Sequence, residues 1–487
     1  MELDRRLLLG LFAGATAASS TRAFASEPAA LQADIALLAR IYETLHPGLY
    51  RYQTPDQFKE RCALLQWNLS RPLTLQDQYL RLSGLLAQVR CGHTYANFFN
   101  QSGAVARLIV APANKLPFYF VWIGSKMIVS ANPLGLDGLN RGDEILAIDG
   151  VPAAEIQRRL LPYIRADGSN DDKRRVLLSV TGSDRIETFD VFFPLLFPND
   201  RAAFTLTVRD SKQGKTRPVT VVPIDQKQRE AMAATAPNLD AADYWSLTYP
   251  KPDIALLTMP GWALFDVKWD WKARIQAIFE DIAQKGARGL IIDIRDNEGG
   301  LDCGYEVIAH LIDRDLPLFA DYDRLVRFRS TPADLNPYLD TWDRSFEHLG
   351  EGATDIGNGF YRLSNDEDEI RRIAPRGPRF QGKVIVLSGP QNSSATFTFI
   401  DLVRRNGLAR IYGQPTGGNQ RGINGGSFFF VRLPHSGLEA DLPLVGTFPK
   451  TPKPDAGLTP DVRIDTSADD IARNIDPVLQ RAISDLA

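Results

Sequence analysis

Cysteine, histidine and methionine are all scarce in this 487-residue chain, which has three Cys, five His and four Met. The three cysteines are Cys62, Cys91 and Cys303, with no two within four residues of each other. That spacing excludes a disulfide-dense scaffold and a Cys-rich zinc site. There is no His-Glu-x-x-His and no phosphate-loop sequence, so neither a metal nor any other cofactor is expected. Neither sign of charge is in surplus: 56 Lys and Arg face 59 Asp and Glu, a net charge of −3. This removes the electrostatic footprint of a nucleic-acid binder. No internal apolar run reaches the roughly 18 residues of a membrane span, so the mature form is expected to have no stable one. What is present is 44% hydrophobic and 24% charged residues. That is a globular composition, at a length suited to about three domains.

The first 25 residues read as a signal peptide. Arg5-Arg6 precedes Leu7-Leu8-Leu9 and the apolar run Leu11 to Ala18, and Ala23-Phe24-Ala25 offers a small-x-small cleavage site. A charged start, an apolar middle and a small-residue exit are the parts of a secretory leader. The paired arginines resemble a twin-arginine signal, although Asp4 and Gly10 depart from it. The expected location is outside the cytoplasm, periplasmic or secreted.

The remainder divides into four stretches. Residues 26–104 read as helical: Leu31, Ile35, Leu38 and Tyr42 recur at helical spacing, and Leu82, Leu85, Leu86 and Val89 share one face. His93 follows the last of these helices, on a turn expected to be exposed. Residues 105–225 are β-rich, with an insertion at about 160–200. Residues 226–242 read as a polar linker. From 243 to 487, strands such as Gly289 to Ile294 and Val384 to Leu387 alternate with helices, which argues an α/β core. Within it, residues 314–380 read as an irregular insertion over the site.

Three segments carry candidate chemistry. In Asp293-Ile294-Arg295-Asp296-Asn297-Glu298-Gly299-Gly300, a strand runs into a Gly-Gly turn whose backbone N–H groups can face a ligand. In Ser388-Gly389-Pro390-Gln391-Asn392-Ser393-Ser394-Ala395-Thr396, a strand runs through a turn into a helix. A serine there either caps the helix or presents its hydroxyl at the sheet's carboxyl edge as a nucleophile elbow does. The third is Gly92-His93-Thr94. His46, His310, His348 and His435 read as structural or surface residues, with His310 in a core setting.

Leu139-Asn140-Arg141-Gly142-Asp143-Glu144-Ile145 with the hairpin at Asp149-Gly150 resembles a PDZ signature. With that signature first, then Asp-x-Arg-x-Asn-x-Gly-Gly, Asn-x-Ser-Ala and the closing Gly457-Leu458-Thr459-Pro460-Asp461, the chain resembles the C-terminal processing (tail-specific) peptidases, a family that includes the core of tricorn protease. The resemblance runs from about residue 75 to 465. It implies an α/β multidomain fold with an N-terminal helical domain, a PDZ-like domain and a peptidase core of the ClpP/crotonase-like type.

The resemblance also implies roles. Many members activate the serine with a lysine, but Asn419 stands at the matching position, and no Lys occurs between Lys383 and Lys450. An amide cannot accept a proton near neutral pH, so that dyad is excluded. Tricorn-like members use a histidine before the PDZ region, and His93 occupies that place. The implied mechanism has Ser394 as nucleophile and His93 as general base. The N–H of Ala395, with that of Gly299 or Gly300, would bind the oxyanion. The acid orienting His93 falls nearest to Asp455, with Asp441 and Glu439 as other candidates. The expected function is an exported serine endopeptidase acting on peptides or unfolded proteins. Alternatives are a non-catalytic peptide- or hydrophobic-ligand-binding protein on the same scaffold, and an esterase.

Overall fold

The computed structural model describes residues 27–487, except 70–72, 199–201, 234–238, 240, 320 and 364–371. The proposed leader therefore lies outside the described residues, as does part of the 226–242 segment.

The site is organised by a six-stranded sheet. Its order is Val462–Arg463, Arg410–Gly413, Lys383–Ser388, Gly289–Asp293, Ile254–Thr258 and Ser246–Lys251. All neighbours run parallel except the last pair, which is an antiparallel hairpin. The central strands are continuous apolar runs because helices Trp271–Gln284, Cys303–Ala309 and Ser394–Arg405 pack with them in one core. Asp270 starts the first of these helices by accepting from the backbone of Lys272 and Ala273. His310 is buried in this core as expected, its ring stacked on Phe279 at 4.3 Å.

A second six-stranded sheet is antiparallel. It is built on the long hairpin Asn424–Arg432 and Glu439–Pro449, to which Tyr322–Val326, Leu339–Asp340, Thr354–Gly357 and Phe360–Arg362 add. The 314–380 insertion thus adds four short strands to this sheet, and most of its described residues lie in turns and loops. At two to five residues each, these strands are too short to show a period-2 pattern in the sequence.

The β-rich part forms a third antiparallel sheet: Tyr119–Ile123, Lys126–Ala131, Glu144–Ile148, Phe204–Arg209 and Thr216–Val221, with Val151–Pro152 beside the third strand. The Asp-Gly hairpin forms as read: Asp149 and Gly150 both have positive φ, at 49° and 81°. The outer edge at Tyr119–Ile123 is covered by the 160–200 insertion. Phe120 and Val180 exchange two backbone hydrogen bonds of 2.9 Å, and Trp122 N donates to Ser179 Oγ at 3.1 Å.

The N-terminal helices share one hydrophobic core with this sheet and with the long hairpin. Tyr42 Oη donates to Asp441 O at 2.8 Å, fixing helix Pro28–Leu45 to the hairpin. The segment read as a linker opens with helix Gln226–Met232, which is anchored by the buried ion pair Arg229–Asp190 at 2.8 Å. The three cysteines are free and buried.

Candidate active site

Two adjacent parallel strands, Gly289–Asp293 and Lys383–Ser388, end side by side. Their following loops therefore meet at the carboxyl edge of the sheet, where ligands bind in open α/β folds. Two asparagines staple the loops. Asn392 is fully buried; its Nδ2 donates to the carbonyl of Asn297 at 3.0 Å and its Oδ1 accepts from Gly389 N at 2.8 Å. Asn297, also fully buried, donates to Met259 O at 3.0 Å and accepts from Gly299 N at 2.9 Å. Arg295 forks onto Asp293 and Asp476, its closest approach to each being 2.6 Å.

Ser394 opens helix Ser394–Arg405 with φ 52°, in the left-handed region. A non-glycine residue is held there only when its surroundings enforce it, and such residues concentrate at functional sites. Ser393 is the N-cap residue but makes no side-chain cap; its Oγ lies 3.2 Å from the carbonyl of Glu298. Ser393 is buried and bonded, whereas Ser394 is half-buried at the sheet edge. Gly299, at φ 117°, packs so closely that a Cβ on it would lie 2.9 Å from Ser394 Cβ and 3.0 Å from Ala395 N. Ala395 N is one of the first-turn donors that a helix leaves unbonded. Because Gly299 N–H is already given to Asn297, Gly300 is the turn glycine with a donor left for a ligand; its N–H has no partner among the described residues. Gly300, at φ 133°, is pressed against the backbone of Trp262.

His93 lies beyond helix Leu75–Ala87, half-buried rather than exposed, with its ring 5.7 Å from Phe428 and beside Gly425 on the long hairpin. Burial lowers its pKa below the ordinary imidazole value. Asp167 and Glu298 oppose this shift, and Arg165 and Lys173 reinforce it. Its Nδ1 is buried without a hydrogen-bond partner.

Four further side chains tie these pieces together. Arg165 Nη1 donates to the carbonyl of Gly92 at 2.9 Å and to Glu298 at 2.7 Å. Lys173, almost fully buried, bonds Glu298 at 2.8 Å and the carbonyl of Gln391 at 2.8 Å. Burial alone would raise the Glu298 carboxyl, but Arg165 and Lys173 hold it well below the usual carboxylate range. Burial lowers the Lys173 ammonium, and Glu298 offsets this in part. Asp167 Oδ1 accepts from Gly92 N at 2.9 Å. Arg165, Asp167 and Lys173 all come from the 160–200 insertion, which thus forms a wall of the site. Its sequence signals are the runs Asp167-Gly168-Ser169-Asn170 and Asp171-Asp172-Lys173-Arg174-Arg175.

Asp455 is placed elsewhere. It accepts from Ser169 N at 3.0 Å, Ser169 Oγ at 2.8 Å and Asn419 Nδ2 at 2.7 Å, and among the described residues no hydrogen bond joins it to His93. Asn419, at the position of the family's lysine, joins Asp455 to the carbonyl of Asp167, the latter at 3.3 Å. Asp441 is buried and receives Asn97 at 2.7 Å and Asn100 at 3.1 Å, and Glu439 pairs with Arg432 at 2.9 Å. Among the described residues no three His, Cys, Asp or Glu side chains gather as metal ligands would, and no helix is long and apolar enough to cross a membrane.

Residues 253–428 match the model of Peptidase family S41. No curated protein matches the chain. Among solved structures, that of mature CPAF complexed with lactacystin aligns at 15% identity and a TM-score of 0.67, covering 94% of this chain and 97% of that one. A structure of mature CPAF aligns at 15% identity and a TM-score of 0.62, covering 94% and 96%. At such identity the likeness is one of fold. The family match spans both loops at the carboxyl edge of the parallel sheet, and over residues 253–428 the chain carries a peptidase family S41 domain.

Proposed function

We propose that the protein is an exported serine endopeptidase of Ser–His type that cleaves peptides or unfolded chains. Ser394 Oγ attacks the scissile carbonyl, while His93 accepts its proton and returns it to the leaving amine. The N–H groups of Ala395 and Gly300 receive the oxyanion, each such donor being worth on the order of 3 kcal/mol. The single observation that carries this reading is Ser394 itself: a non-glycine residue at φ 52°, at a strand-to-helix junction inside the S41 match, with Gly299 packed against its Cβ.

Lys173 is the lysine nearest this loop in the hydrogen-bond network, but its ammonium is engaged by Glu298 and Gln391. That leaves His93 as the group suited to general-base work. The β-rich sheet is read as a PDZ-like domain.

Treating the purified mature protein with a serine-reactive phosphonate and locating the label by mass spectrometry tests the reading. Label on Ser394, lost when His93 is replaced, is the expected result. No label on Ser394, with ligand binding retained, would make the protein a binding protein on the same scaffold.

A further inference from the structure

Among the buried polar atoms around His93 that have no partner are His93 Nδ1 and Asp167 Oδ2, with Asn424 Oδ1 and Tyr52 Oη. Buried polar atoms are nearly always hydrogen-bonded, and each exception calls for an explanation, a catalytic role among them. The Asp167 carboxylate is fixed astride the residue before His93. Its Oδ1 accepts from Gly92 N at 2.9 Å, and its Oδ2 lies 2.9 Å from where a Cβ on Gly92 would sit. A side chain at 92 would fill that space, so glycine lets the carboxylate approach. Asp167 itself is 2% exposed. It is also the charged group with the largest influence on the His93 ring, favouring its protonated form.

The geometry points to Asp167, not Asp455, as the carboxylate that orients His93, with Nδ1–H directed at Oδ2. This rests on the Ser394–His93 reading above. In a free enzyme such a bond is often unmade and tightens when substrate is bound. It would fix the tautomer that leaves Nε2 free for the Ser394 proton, and it would stabilise the imidazolium formed during attack. Asp167 touches no reacting atom and is a positioning residue. Asp455 supports the same loop from behind through Ser169 and Asn419. The groups that set the ionisation of His93 are Asp167, Glu298, Arg165 and Lys173. Tyr52, whose hydroxyl is also buried without a partner, is another donor influenced by Asp167.

Asp167→Asn keeps an oxygen for Gly92 N and removes the charge. The expected result is a fall in kcat of about 10²-fold or more with KM little changed. The pKa of His93, read by NMR in a Ser394→Ala background, should fall when Asp167→Asn is added. A low-field Nδ1 proton seen with a bound peptide aldehyde in otherwise unaltered enzyme should vanish in Asp167→Asn. Tyr52→Phe should leave that proton in place. If Asp455→Asn, and not Asp167→Asn, shifts the His93 pKa and removes the proton, the assignment is overturned. It is equally overturned if Asp167→Asn labels with phosphonate at the unaltered rate. If the unaltered protein does not label at Ser394 at all, the peptidase reading has failed instead. The NMR titration still decides whether Asp167 faces His93, even if turnover is lost through misfolding of another variant.

Discussion

The guanidinium of Arg165 meets the carboxylate of Glu298 in a two-point fork, Nη1 to Oε1 at 2.7 Å and Nη2 to Oε2 at 3.0 Å. Lys173 approaches the same carboxylate from the other side at 2.8 Å. Glu298 lies between Asn297 and Gly299, so two cations from the insertion hold the Gly-Gly turn while Arg165 also holds the carbonyl before His93. Such charge-assisted, two-point bonds fix orientation as well as distance.

Glu298→Gln should therefore destabilise the fold by about 1–3 kcal/mol, the cost of leaving buried cations without their partner. The folded carboxyl titrates well below its unfolded value. Its stabilisation is therefore present above about pH 4.3 and is lost as pH falls through the folded value. Urea denaturation across pH 3–7 should show a shallower acid slope in the variant. An unchanged slope would mean that the two cations do not hold Glu298 ionised.

Ser394→Ala should lower kcat by at least about 10⁴-fold, whereas Ser393→Ala, which removes only a bond to the Glu298 carbonyl, should retain most activity. Peptide hydrolysis by the two purified variants decides this, and the opposite pattern would reassign the nucleophile.

Gly299→Ala should place a methyl group against Ser394 Cβ and Ala395 N at a backbone angle that disfavours alanine. A fall in kcat of about 10²–10³-fold is expected, the loss typical of a spoiled oxyanion site. Full activity in a folded variant would show that the oxyanion is bound elsewhere.

Because burial lowers the His93 pKa, the acid limb of kcat/KM should have its midpoint below the usual imidazole value of about 6.5. Activity should therefore persist to lower pH than an unperturbed histidine allows. A midpoint above 6.5 would contradict a buried His93 as base.

Burial raises the Asp441 carboxyl to about 7, with Asn97 and Asn100 opposing. The folded state then holds a proton that the unfolded state has lost above about pH 4. This group therefore makes stability fall as pH rises from there to about 7. Comparing unfolding free energies at pH 5 and 7.5 in unaltered protein and Asp441→Asn should show a smaller difference in the variant.

The parallel sheet was largely readable from sequence, because continuous apolar strands alternating with helices have few other solutions. Helix Ser394–Arg405 and the loops at 293–300 and 388–394 fall where the pattern puts them. The long hairpin was not read: Gly425, Gly426 and Pro443 interrupt it, and a register shift lies between Gly425 and Phe428. Arg165 was invisible as a site residue because it acts across the fold. Arg165 is 133 residues from its partner Glu298, and no local pattern encodes that contact. Asp455 lies about one residue off the spacing the closing motif implies, with Pro454 at that position, and spacing says nothing of which donors reach a carboxylate first; here they are Ser169 and Asn419.

The pairing of Val180 with Phe120 has a kinetic consequence. Extended peptides can dock on a β-sheet by adding a strand to an exposed edge, and at Tyr119–Ile123 the chain's own Ser179 and Val180 already hold that place. A long substrate then gains no second foothold there and no rise in effective concentration near Ser394. Specificity constants for a short peptide and for the same sequence embedded in a long unfolded chain should accordingly be similar, with each cleavage an independent encounter rather than a step in processive threading.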